Sequence, residues 1–228
     1  MTDFHKHWKP SRTGTTSAQL AGRVDELRST LRVQDPGLVA ARSGSSWLLL
    51  GPGRGELHIL MWGKVCILCW PELKGCNDKD DRLSDFQLAL LLYYLLTADG
   101  APLTGKWVSF ADLPDGRMYN AAFQGYSGEE VVKAIGFDLD GFKSACRKAG
   151  GEPVDMGSAS FIFQALPRVL LMLTYWLGDE DFPSSCKVLF DKSASHYLPI
   201  DACAILGSTL AQKVIKAYHS ERSDETQV

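Results

Sequence analysis

Hydrophobic residues along the chain fall into separate helical and extended blocks. A helix from about residue 17 is predicted by four apolar residues spaced three or four apart: Leu20, Val24, Leu27 and Leu31. We expect it to end before Asp35, Pro36 and Gly37, a combination typical of a turn. Three short apolar runs follow, at residues 47–50, 57–62 and 65–70, and glycines lie in the connections between them. Such short glycine-containing connections favour antiparallel hairpins.

The rest of the chain also keeps helices and strands apart. Residues 84–98 are apolar almost all round, which predicts a central buried helix. Further helices are predicted at residues 129–135 and 138–149 and from Pro199 onward, and strands at residues 161–164, 169–176 and 187–190. Because strands and helices do not alternate, the pattern predicts an α+β fold. We expect a single domain over residues 17–218 with a mainly antiparallel sheet and a C-terminal helix. A flexible polar arm over residues 1–16 and a polar tail over residues 219–228 are expected to flank it.

Charge and composition narrow the classes of partner. The 228 residues include 24 Lys and Arg against 27 Asp and Glu, a net charge of −3, so no basic field favours nucleic acid or a membrane surface. The longest apolar runs, residues 88–96 and 169–177, are about half of the ~18 residues that cross a bilayer. The first residues lack the apolar stretch of a secretory signal, so we expect a cytoplasmic protein. Six scattered cysteines favour free thiols in a reducing compartment.

Several short motifs occur in a family-specific order. They are residues 101–110 (APLTGKWVSF), 113–116 (LPDG), 122–125 (AFQG), 150–153 (GGEP), 178–183 (GDEDFP) and 190–199 (FDKSASHYLP). Over roughly residues 45–212 the chain resembles the family called domain of unknown function 3786, from anaerobic bacteria and archaea. Some members carry a segment similar to that of corrinoid iron–sulfur proteins. The resemblance therefore implies a setting in anaerobic one-carbon or corrinoid metabolism, without implying an activity.

The aromatic-rich middle of the chain is the main candidate for ligand binding. Its aromatic residues, interspersed with Lys106 and Arg117, are Trp107, Phe110, Tyr119, Phe123 and Tyr126. Aromatic rings with a few positive groups can line a pocket for a flat, anionic ligand. His196 could supply an axial ligand to a metal or tetrapyrrole. The first hypothesis is therefore a cytoplasmic accessory module that binds a corrinoid or haem-like cofactor; alternatively, the rings form the core of a small sheet.

Three cysteines form the candidate metal site. Cys66 and Cys69 have CxxC spacing, and Cys76 follows seven residues later. Thiolates bind zinc and iron–sulfur clusters. However, residues three apart on a strand face opposite sides of its sheet, and buried cysteine behaves as a small hydrophobic residue. Both the metal and the packing interpretations stay open.

Two further functions are compatible with the sequence. Asp191, His196 and Asp201 have the residue types of a metal-assisted or hydrolytic enzyme, although a capped turn explains the same segment. The last hypothesis is a protein-interaction module that docks on a redox or one-carbon partner.

Overall fold

The predicted central helix forms α3, Asp85–Thr97, in the computed structural model, which describes residues 17–225. Ser84 and Gln87 form a capping box at its start, since each side chain accepts a hydrogen bond from the other residue's backbone amide. Most of its residues are buried, as the nearly continuous apolar sequence predicts. The predicted arm at residues 1–16 and the last three residues of the predicted tail lie outside the described residues.

Contacts divide the chain into two compact units. Unit 1 contains the chain up to Pro102, together with Leu166–Arg168 and His196–Ala202. Unit 2 contains Leu103–Ala165, Val169–Ser195 and the chain from Cys203 onward.

Unit 1 combines α3 with two helices and one antiparallel sheet. The helices are α1 (Ser17–Leu31) and α2 (Pro36–Ser43), and the strands are β1 (Ser46–Gly51), β2 (Arg54–Met61), β3 (Lys64–Trp70) and β4 (Lys74–Asn77). The strand order is β1-β2-β3-β4, and each neighbouring pair is antiparallel. The hairpins predicted from the glycine-containing connections are therefore confirmed.

One local prediction in unit 1 is wrong, and one strand was not predicted. The predicted turn at Asp35 is instead the start of α2, because the Asp35 carboxylate accepts a hydrogen bond from the Leu38 amide and Pro36 occupies the first turn. The strand that was not predicted is β4, which places Cys76 opposite Ile67. A strand of four residues is too short to show a hydrophobic period in the sequence.

Unit 2 is built on a five-stranded sheet. Its strands are β5 (Trp107–Ser109), β6 (Glu152–Val154), β7 (Ala159–Leu166), β8 (Val169–Trp176) and β9 (Ser185–Asp191), in the order β5-β9-β8-β7-β6. The pairs β5–β9, β8–β9 and β6–β7 are antiparallel. The helices are α4 (Asn120–Gly125), α5 (Gly128–Ile135), α6 (Leu139–Lys148) and α7 (Ile200–Glu225), of which α7 begins with residues of unit 1.

The α+β class, the antiparallel pairing and the C-terminal helix are confirmed. Helix α7 continues to Glu225, so the first part of the predicted polar tail is helical. Within residues 17–225, the helices are all too short or too polar to cross a membrane.

Candidate functional site

A cleft in unit 2, lined mainly by residues with polar side chains, is the candidate functional site. Its volume is about 520 Å³, within the range of about 300–1,000 Å³ typical of ligand sites. The lining comes from β5, α4, α5 and the segment that enters β9: Ser109, Asn120, Gln124, Glu129, Val132, Lys133, Ser184, Ser185, Cys186 and Lys187. Segments far apart in sequence therefore converge on one cleft, and most of the side chains they contribute can form hydrogen bonds.

Helix α4 separates the cleft from the core. Asn120 and Gln124 are four residues apart, so both lie on the cleft side, and the Gln124 amide donates to Asn120 Oδ1 at 3.3 Å. Phe123 lies on the other side, where it is fully buried and stacks on Phe110 with 4.2 Å between ring centroids. The two amides were not predicted as ligand-binding residues, because aromatic residues dominate this segment, although the four-residue spacing of Asn120 and Gln124 was a usable signal.

Close packing of α5 on β9 forms the opposite wall. A Cβ atom on Gly128 would lie 2.0 Å from the carbonyl oxygen of Cys186, so only glycine permits this approach. The approach brings Glu129 and Lys133 on α5 beside the first residues of β9. Gly128 is therefore a structural requirement of the cleft.

The two lysines of the cleft, Lys133 and Lys187, are matched by two carboxylates: Glu129 in the lining and Glu130, which pairs with Lys133. Lys133 Nζ lies 2.9 Å from the Glu130 carboxylate, and this hydrogen bond raises the pKa of Lys133. The Lys187 ammonium lies 5.7 Å from the centre of the Trp176 ring, a cation–π contact. Among the described residues that line the cleft, Glu129 is the one with a carboxylate side chain. The Lys187 ammonium, together with the amide and hydroxyl donors of the lining, favours a ligand that bears carboxylate or amide groups.

The five aromatic residues predicted to bind a ligand divide into two groups. Phe110 and Phe123 are buried and turned onto each other, so neither ring face is open. Tyr126 contacts the Phe123 ring edge-on at 5.8 Å but is only partly buried, as is Trp107, and Tyr119 is exposed. These three residues retain ring surface that a ligand can contact.

His196 belongs to unit 1, where it pairs with Asp99. His196 Nδ1 lies 2.7 Å from Asp99 Oδ2, and both side chains are about half exposed, at 50% and 54%. The hydrogen bond from His196, together with one from the Ala101 amide, lowers the pKa of Asp99. This carboxylate–imidazole pair was missed because the two residues are 97 positions apart.

The other two residues of the predicted acid–base set have different surroundings. Asp191, in unit 2, is buried and accepts hydrogen bonds from Thr104, Gly105 and Ser193. Asp201 lies in the first turn of α7, a position that a carboxylate favours at a helix start. Asp99 therefore supplies the carboxylate that bonds His196 Nδ1.

The three candidate metal-binding cysteines lie on two faces of the unit 1 sheet. Cys66 faces the buried side of β3, where burial raises the pKa of its thiol. Cys69 is on the opposite face, as strand alternation predicts, and Cys76 on β4 shares that face. In the described part of the chain, no group of three or more His, Cys, Asp or Glu side chains could hold a metal ion.

Comparison with known proteins identifies the family. No curated protein and no solved structure matches the chain. The model of the family described as domain of unknown function (DUF3786) matches residues 35–213. This match spans both sheets and the helices from α2 to the first half of α7, so the chain belongs to the DUF3786 family.

Proposed function

We propose that this chain is a cytoplasmic accessory module that binds a flat cofactor, whose polar edge lies in the unit 2 cleft. The observation that carries the proposal is the cleft itself, in which Lys133, Lys187 and the amides of α4 face one space of about 520 Å³. A corrinoid ring carries amide groups at its edge, and a haem carries carboxylates. Both kinds of group are suitable partners for these donors.

The chemistry of the lining favours binding over catalysis. Among the described residues that line the cleft there is no histidine that could act as a base. Burial strongly raises the pKa of the Cys186 thiol, which keeps it protonated and unreactive at neutral pH. The serines of the cleft therefore serve as hydrogen-bond donors and acceptors in this proposal. A redox or corrinoid protein partner would deliver or receive the ligand.

The test is a spectroscopic titration with two probes, hydroxocobalamin and haem, under anaerobic conditions. We expect a saturable change in the ultraviolet–visible spectrum with one of them, and about tenfold weaker binding in the Lys187→Ala variant, since a charge-assisted hydrogen bond contributes about 1.5–3 kcal/mol. Lys143→Ala is the control, because Lys143 pairs with Asp140 on α6 and lies outside the cleft lining. The absence of any saturable change with either probe would refute the flat-cofactor proposal.

The Asp99–His196 pair supports a second candidate, an acid–base enzyme. A carboxylate that bonds Nδ1 orients the imidazole and leaves Nε2 as the nitrogen directed to a substrate. Chromogenic carboxylic and phosphoric esters are suitable first substrates. Activity that falls at least about a hundredfold in His196→Ala would support this candidate. The matched control is His58→Ala, since His58 also pairs with a carboxylate, that of Glu56, at 2.9 Å.

A further inference from the structure

Among the described residues, strand β1 is the least protected sheet edge. Within residues 17–225, β1, β4, β5 and β6 each have a neighbouring strand on one side only. Exposed edges invite pairing with another chain, and proteins usually protect them with short length, charge, proline or irregular pairing. The four edges can therefore be compared by how well they are protected.

Three of the four edges carry such protection. β4 has four residues, begins with Lys74 and forms an additional bridge between Cys76 and Arg82. β5 has three residues, and β6 has three that include Glu152 and Pro153. β1, in contrast, has six residues, Ser-Trp-Leu-Leu-Leu-Gly, without charge or proline, and its one irregularity lies at its end, between Leu49 and Gly51.

The exposed surface of β1 is apolar on both faces of the sheet. Leu48 pairs with Glu56 and lies on the open face, whereas Trp47 pairs with the buried Leu57 and lies on the core face together with Leu49. Leu48, Leu49 and Leu50 are nevertheless 49%, 65% and 63% exposed. Three consecutive exposed leucines beside a free backbone edge form a surface that suits an extended apolar strand.

We propose that β1 pairs with the β1 of a second copy of this chain, in an antiparallel arrangement that joins the two four-stranded sheets. In a pair related by a two-fold axis, each strand lies beside an identical strand. A charged side chain on one β1 would therefore lie close to the same charge on the other copy. β1 carries none, and its leucines provide apolar contacts on both faces. An axis through Leu48 sets Trp47 opposite Leu49 of the second copy, so that apolar side chains meet across the interface.

The test is the oligomeric state of the full chain, measured by sedimentation velocity over about a hundredfold range of concentration. We expect a dimer for the natural sequence and a dissociation constant at least about tenfold higher for Leu49→Lys, because each new charge would lie opposite the apolar Trp47 of the second copy and diagonally across from the other new charge. Leu38→Lys is the matched control: Leu38 is also 65% exposed but lies on α2, and this variant should dimerise as the natural sequence does. Mixing the Leu49→Lys chain with a Leu49→Glu chain should restore the dimer.

Hydrogen exchange tests the same interface without a substitution. The amides of β1 should become more protected as the concentration rises, and those of the β4 edge should not. A monomer at every concentration overturns the proposal, as does a dimer that Leu49→Lys leaves intact. Dimerisation only after removal of residues 1–16 would identify that segment as the occupant of β1 and would also overturn it.

Discussion

His196 Nδ1 and Asp99 Oδ2 lie 2.7 Å apart, at the segment that follows the C-terminal end of α3. The other carboxylate oxygen of Asp99 accepts a hydrogen bond from the Ala101 amide at 2.9 Å. The Tyr197 hydroxyl in turn donates to the Ala101 carbonyl. Hydrogen bonds to Ala101 therefore anchor both sides of the pair, Asp99 directly and His196 through its neighbour Tyr197.

Removal of His196 should raise the pKa of Asp99. In the folded chain the hydrogen bond from His196 lowers that pKa, so His196→Ala should return it toward the ordinary aspartate value of about 3.9. Carboxyl chemical shifts followed by nuclear magnetic resonance from pH 2 to pH 7 measure the change directly. The His58→Ala control should leave the titration of Asp99 unchanged, and equal titration in all three proteins would show that the pair does not form in solution.

Asp191 should be a major contributor to the stability of unit 2. Its buried carboxylate accepts hydrogen bonds from the Thr104 and Gly105 amides, at 3.1 and 2.7 Å, and from Ser193. Asp191→Ala leaves these donors without their acceptor, and we expect the free energy of unfolding to fall by about 3 kcal/mol in urea denaturation. Asp181→Ala, an exposed aspartate of the same unit, should change it by less than about 0.5 kcal/mol.

The contribution of Asp191 should depend on pH in a defined direction. Burial disfavours its ionised form, but the hydrogen bonds from Ser193 and Thr104 outweigh this effect and lower its pKa. A group whose pKa is lower in the folded state stabilises the fold above its unfolded pKa, about 3.9, and loses that contribution as the pH falls through the folded value. The difference in unfolding free energy between the natural chain and Asp191→Ala should therefore shrink below about pH 4. A difference that widens on acidification would contradict this assignment.

Local patterns predicted the elements of the fold far better than the sites. Residues 84–98 are so apolar that α3 could be placed almost to the residue, and the glycine-containing connections revealed the hairpins of unit 1. β4 escaped prediction because it forms only through its pairing with β3. The division of the strands between two sheets depends on pairings such as β5 with β9, whose paired residues are at least 80 positions apart, and no local hydrophobic period indicates such pairings.

The sites depend even more on long-range contacts. The aromatic residues predicted to bind a ligand lie between residues 107 and 126, a stretch that also contributes Ser109, Asn120 and Gln124 to the cleft, but none of the five aromatic residues is among its lining residues and two of them are buried in the core. Asp99 could not be assigned to His196, because several carboxylates are closer to His196 in sequence. The sequence therefore supplied candidate side chains for a site, whereas the contacts between those side chains depend on the fold.

Phe123 and Tyr119 should separate stability from ligand binding. Phe123 is fully buried, and Gly207 on α7 packs so closely that a Cβ there would lie 2.5 Å from the Phe123 ring. Phe123→Ala should lower the free energy of unfolding by about 3–5 kcal/mol, because it leaves a cavity. Tyr119 is exposed and precedes the cleft residue Asn120, so Tyr119→Ala should change stability by less than about 0.5 kcal/mol. If Tyr119→Ala also weakens hydroxocobalamin or haem binding, the predicted aromatic contact to the ligand is supported.

Alkylation of the native chain should be confined to two of its six cysteines. Cys69 and Cys76 are half-buried on one face of the unit 1 sheet, whereas the other four are buried: Cys66, Cys146, Cys186 and Cys203. The thiolate is the reactive form, and burial raises the pKa of Cys146 and Cys186 far above neutral pH. We therefore expect iodoacetamide to modify Cys69 and Cys76 first, and the rate at Cys76 to keep rising well into the alkaline range, because burial raises the pKa of its thiol. Peptide mass spectrometry identifies the modified residues, and protection of both thiols by added Zn²⁺ would support a metal site on that face. Modification of Cys146 or Cys186 before urea is added would contradict the burial of these thiols. If added Zn²⁺ does not change the modification of Cys69 and Cys76, a packing role for these two residues is favoured.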